Sequence, residues 1–202
     1  QGIIDNGADF KYDTSGTATL TQGTLYFVDT KASNLGGWNE SGGVQIFLTK
    51  PNPPTNLIVQ RNSSSKIYLT WNTGIGFNTT YIERNQSGVT SWDKGEGIFL
   101  YNDSGNNYED TGLTDGVTYY YQVWSFSNWS YESIEFYQWS DNNASGNNKT
   151  NNIPTIDNEV PTNESTGLDL LPQLSIDVND FDGDSMTITW YSNSSGSWQV
   201  FG

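Results

Sequence analysis

Apolar and polar residues alternate with a period of two in short runs along most of this 202-residue chain, as they do in half-buried β-strands. In the first 50 residues the runs are ADFKY (8–12), TATL (17–20), TLYFVDT (24–30) and VQIFLTK (44–50), separated by Gly-rich turns. PNPP at 51–54 cannot donate to a ladder and marks a module boundary. Beyond it come LIVQ (57–60), KIYLTW (66–71), TTYIERN (79–85), GIFLYN (97–102), NYEDTGL (107–113) and TYYYQVWSFS (118–127). Their spacing of roughly 8–15 residues is that of a β-sandwich. The loose tract SDNNASGNNKTNN (140–152) reads as a linker. After it, LSIDV (174–178) and MTITWY (186–191) predict strands on either side of the turn NDFDGD (179–184).

The pattern predicts an all-β chain in three parts: an N-terminal β segment (1–50), a complete sandwich (51–149) and a shorter C-terminal part (150–202). Composition agrees. Asn, Ser, Thr and Gly are abundant, and aromatic residues reach 14%.

The motifs carry a resemblance. PPTNLIV (53–59) is followed by IYLTW with Trp71, by TYIERN, and by YEDTGLTDGVTYYYQVWS with Leu113, Gly116 and Tyr119. In these residues 51–149 resembles a fibronectin type III module. The resemblance implies that Trp71 is a core tryptophan on the second strand. It also implies that Leu113, Gly116 and Tyr119 form a corner in which the Tyr hydroxyl ties a crossover loop. The wording looks like modules of archaeal and bacterial surface proteins. The stretch from Ile153, with Pro172, LSIDV, NDFDGD and MTITWY, is similar to immunoglobulin-like or cadherin-like surface repeats. It offers three or four strands where such a sandwich needs about seven.

The 1–50 and 153–202 segments together approach the length of one sandwich, so we expect one immunoglobulin-like domain split between them. A seven-stranded sandwich sends its termini from opposite poles, roughly 25–35 Å apart for strands of this length. The expected completion of the C-terminal part is therefore by the N-terminal segment of a neighbour. That neighbour is a separate copy or the next repeat of a tandem chain, and head-to-tail exchange of this kind propagates into a fibre. The chain begins at Gln1 rather than Met, which reads as a processed product or a segment of something longer.

Charge narrows the partners. Eight Lys and Arg against 23 Asp and Glu give a net charge of −15, which disfavours nucleic acid and anionic membrane surfaces. No apolar stretch reaches the roughly 20 residues of a spanning helix. The sequence has neither cysteine nor histidine, so thiolate sites and the usual general base are missing, and no carboxylate pair sits in a catalytic motif. We expect no enzyme.

Ten N-x-[ST] sequons occur, at Asn39, Asn62, Asn78, Asn85, Asn102, Asn128, Asn143, Asn148, Asn163 and Asn193. The abundance of Asn, Ser and Thr would produce roughly half as many by chance. They point to an extracellular, N-glycosylated surface protein. Asp180, Asp182 and Asp184 stand at alternate positions, a possible calcium turn with Asp177 as a further ligand. As an EF-hand loop it fails, because Ser185 and Tyr191 stand where Gly and Glu are required. Trp124, Trp129, Trp139, Trp190 and Trp198 leave open an alternative, an adhesive or carbohydrate-binding module of a larger surface protein.

Overall fold

In this computed structural model the described residues are 2–4, 19–34, 37–40, 44–86 and 88–200, with backbone alone for 2–4, 29–34 and 37–40. The ADFKY run and the start of TATL lie outside them. The described elements are antiparallel strands and turns, and the chain divides into two compact units, 1–150 and 151–202. The first unit takes in both the 1–50 segment and the 51–149 module.

The N-terminal segment forms one sheet from β1 (Gly2–Ile4), β2 (Leu25–Asn34), β3 (Gly37–Glu40) and β4 (Gln45–Leu48). It buries Leu25, Tyr26 and Leu48, the adjacent Leu25 and Tyr26 on opposite faces of β2, and Tyr26 stacks on its ladder partner Phe47 with ring centroids 5.7 Å apart. The next seven elements are β5 (Thr55–Ser63), β6 (Lys66–Asn72), β7 (Thr79–Asn85), β8 (Ile98–Asp103), β9 (Asn107–Thr111), β10 (Thr118–Tyr131) and β11 (Ile134–Trp139). The last of the unit is β12 (Ala144–Lys149). One sheet runs β5-β6-β9 and the other β8-β7-β10, with β11 and β12 pairing successive halves of the long β10.

Between these sheets lies the core. Ile67, Leu69 and Trp71 of β6 face Ile82 of β7 and Tyr119, Tyr121 and Val123 of β10, with Leu113 beside them. Alternate positions are buried on β6, as a sheet with one covered face requires.

The tract read as a linker supplies the last strand. Residues 144–149 pair with 118–123 of β10, because ladder bonds need only backbone groups, which a polar sequence also has. Side chains fix it further: Ala144 packs on the core, and Asn148 donates to the Val59 carbonyl at 2.8 Å. At Gly146 a Cβ would stand 2.9 Å from the Val59 side chain, so only glycine lets β12 approach β5 this closely.

β10 and β11 project beyond the part paired by β12, and this hairpin holds the N-terminal sheet. Trp129 donates its indole N–H to the Gly23 carbonyl at 2.9 Å, and Tyr131 meets Phe27 edge-on at 4.6 Å. Lys50 pairs with Asp141. The turn at Gly23 (φ 60°) abuts the turn at Gly76 (φ 79°) so closely that a Cβ on Gly76 would lie 2.2 Å from the Gln22 carbonyl oxygen.

The second unit holds β13 (Thr155–Val160) paired with β14 (Ser175–Asn179), and β15 (Tyr191–Ser192) paired with β16 (Gln199–Val200). MTITW, expected as a strand, makes no ladder over 186–190: its alternation suits a strand, but no neighbouring backbone pairs with it among the described residues.

Gly76→Ala tests the docking of the N-terminal sheet. Positive φ and the clash act together, so urea denaturation should show a loss of more than about 1 kcal/mol, with early proteolytic release of the first 50 residues. Gly112→Ala, also at positive φ (71°) but in open space, should lose less and leave that segment protected.

Candidate assembly site

No residue of 151–200 is buried. Leu170, Leu171, Phe181 and Trp198 are 100%, 93%, 78% and 73% exposed, where apolar side chains of a folded domain are ordinarily covered. The apolar positions of β13 and β14 and those of the unpaired MTITW segment line one groove of about 610 Å³. Ile156, Ile176 and Val178 form one wall, and Met186, Ile188 and Trp190 line it from the other segment. The alternation that predicted two strands thus yields two apolar walls, one of them a segment that joins no ladder among the described residues.

The Asp turn stands beside this groove and closes on itself. The Asp180 carboxylate accepts the backbone N–H groups of Asp182 (2.8 Å) and Asp184 (3.2 Å), and Asp182 accepts that of Asn152 at 2.6 Å. Asp177 accepts from the Asn158 side chain at 2.7 Å. Calcium takes six to eight oxygens, and among the described residues no group of three acidic, His or Cys side chains is placed to hold a metal ion.

The sequons divide by their side-chain partners. Asn62 donates its amide to Glu109, Asn143 to Gln122 and Asn148 to the Val59 carbonyl. Asn78 accepts from the Asn128 backbone N–H (2.8 Å) and the Ser127 hydroxyl (3.1 Å). Asn85 is half-buried and engaged, and Asn39 has only its backbone described. Asn102, Asn128, Asn163 and Asn193 are exposed.

In the first unit the residues marked by sequence converge on the core. Trp71 is 3% exposed and donates its indole N–H to the Thr80 hydroxyl at 3.2 Å. Leu113 and Tyr119 are buried, and Gly116 turns the chain between them with φ 65°. The Tyr119 hydroxyl accepts the Thr114 backbone N–H at 3.0 Å, tying the crossover from β9 to β10. A three-stranded sheet faces a five-stranded one around this corner. It is a fibronectin type III-like sandwich.

No family model matches the chain, and no curated protein matches it. Solved structures do. An Fn3-like protein from Clostridium thermocellum is 26% identical, over 51% of this chain and 96% of that one, with a TM-score of 0.38. The FN5 domain of Drosophila Lar is 15% identical over 49% and 97%, with a TM-score of 0.33. Domains d3–d4 of the rat CD45 extracellular region are 16% identical over 71% and 70%, with a TM-score of 0.38.

The fibronectin type III-like sandwich also holds two polar devices that the motif reading missed. Arg84 contacts both Asp110 oxygens, at 2.8 and 2.9 Å, and the Tyr121 hydroxyl donates to Asp110 at 2.8 Å, bridging the two sheets inside the core. The signal was parity: Arg84 and Asp110 share the inward register of Ile82 and Tyr108. On the outer face Glu83, fully buried, accepts the Trp92 indole N–H and the backbone N–H groups of Gly95 and Gly97 at 2.7–3.1 Å. One carboxylate thereby pins the loop between β7 and β8.

These carboxylates act on tyrosines. Burial first, then the bond to Glu83, pushes Tyr81 up to about 12. Burial and the Asp110 charge raise Tyr121 far above the ordinary range. The folded state therefore holds these protons more tightly than the unfolded chain, whose tyrosines ionise near 10. Stability should stay flat up to about pH 10 and fall as pH rises towards 12. Urea midpoints read alongside tyrosinate absorbance check this, and full ionisation of a still-folded chain at pH 11 would contradict it.

Proposed function

We propose that the chain is a non-enzymatic structural module of an extracellular, N-glycosylated fibre, assembled head to tail by β-strand complementation. The 151–202 unit accepts strands from the 1–50 segment of a neighbouring copy or repeat. One observation carries the reading: a groove with two apolar walls, one of them a backbone segment without ladder partners among the described residues, in a unit none of whose described side chains is buried. Such a face is driven towards a complement by the apolar area it leaves wet and by its unpaired N–H and C=O groups. The contact is heterologous, so it adds subunits without closing. The net charge of −15 suits a soluble surface assembly with no nucleic-acid partner. An extracellular setting accords with the open sequons and with the CD45 likeness, itself an extracellular region.

Sedimentation velocity and negative-stain electron microscopy of the full chain test the assembly. Association should grow with concentration into linear particles. Ile188→Asp, which places a charge in the groove at an exposed position, should leave monomers with an unchanged first-unit unfolding transition. A wild-type chain that stays a monodisperse monomer at every concentration contradicts the proposal.

A further inference from the structure

The projecting hairpin of β10 and β11 has two faces with different fates. Trp129 and Tyr131 turn to the N-terminal sheet, as their contacts with Gly23 and Phe27 show. The alternate residues Phe126 and Asn128 point the other way, because side chains alternate along a strand. Directly across the ladder, Phe126 faces Trp139 and Asn128 faces Tyr137. Phe126 and Trp139 pack with centroids 4.4 Å apart, and Trp139 continues onto Tyr81 at 5.2 Å, with the Lys94 ammonium 3.9 Å from the Trp139 ring centre. This aromatic shelf ends outward at Tyr137, a ring left 67% exposed beside an exposed Asn128 and an exposed Ser130.

We infer that Asn128 carries an N-linked glycan whose first sugar ring lies on the exposed face of Tyr137. The inference rests on the glycoprotein part of the function proposed above and is independent of fibre assembly. Cross-strand partners hold their Cβ atoms about 4.5–5.5 Å apart, the distance at which a group on one side chain covers the other. A pyranose attached to the Asn128 Nδ2 presents its C–H face to the Tyr137 ring, whose apolar body is otherwise wet. In the attachment step Nδ2 bonds to the anomeric carbon of a sugar activated as a pyrophosphate ester. The C–O bond to pyrophosphate breaks, its electron pair leaves on the phosphate, and the amide releases one proton. At the other sequons that face a ring across a ladder the pairing is not open: Asn85 stands across from Tyr120 but is half-buried and already engaged, and Asn148 stands across from the buried Tyr119. Asn102 is open, but the ring across from it, Tyr81, is already faced by Phe99, Trp124 and Trp139. Asn62, Asn143 and Asn148 have their amides committed within the fold.

The test compares the full chain secreted from an N-glycosylating host with the same chain from a host without that pathway. Glycopeptide mass spectrometry should find Asn128 occupied. Asn128→Gln and Tyr137→Ala should each lower the Tm of the glycosylated chain by about 2–4 °C, and neither should move the unglycosylated chain by more than about 1 °C. Tyr137→Trp should keep the stabilisation. Occupancy at other sequons with Asn128 bare overturns this inference and leaves the glycoprotein reading standing, whereas no glycan at any sequon overturns both. Equal destabilisation of both forms by Tyr137→Ala also overturns it, since the ring would then serve the fold alone.

Discussion

A β-sheet has two faces and two edges, and water tolerates only some of them bare. The first unit satisfies this constraint from within: a three-stranded sheet covers a five-stranded one, and Ile67, Leu69, Trp71, Ile82 and Val123 leave water together. The second unit has the same strand chemistry and does not satisfy it. Ile156, Met186 and Ile188 line a groove and stay exposed, although their spacing is that of core residues. Packing, pairing and the proposed assembly all follow from that contrast.

Within the sandwich, position is set by polar ties laid across an apolar core. The bond from Thr114 to the Tyr119 hydroxyl fixes the crossover, and the Arg84–Asp110–Tyr121 bridge fixes one sheet against the other. Burying an ion pair is rarely a net source of stability, but removing one partner from it costs about 3–5 kcal/mol, so the bridge penalises mispaired sheets. The close approach of Gly23 and Gly76 places the N-terminal sheet against the projecting hairpin. The hairpin's opposite face is left to solvent, where Asn128 and Tyr137 stand paired.

Local alternation made most of this legible in the sequence. KIYLTW became a strand where read because its inward Ile67, Leu69 and Trp71 alternate with less buried neighbours, whereas TTYIERN and TYYYQVWSFS did so through their β-branched and aromatic residues, both faces being largely covered. ASGNNK was misread because an edge strand can be held by backbone bonds and a few side-chain ties, without an apolar face. MTITW failed in the opposite sense: its pattern is that of a strand, but a ladder needs a partner. The inward parity of Arg84 and Asp110 was visible in the sequence. Their partnership was not, since it depends on which sheets face each other. The clamp on Glu83 was likewise hidden, because nothing local reveals that a loop will fold back over a sheet's outer face.

Hydrogen–deuterium exchange of the 186–190 amides across a concentration series addresses the central claim most directly, because a ladder formed with a neighbour protects those N–H groups and no other part of the account does. The account predicts rapid exchange in dilute monomer and strong protection in the assembled state, while the core amides of β6 and β10 stay protected throughout. Exchange at 186–190 that is equally fast at every concentration, or already slow in the monomer, would contradict it.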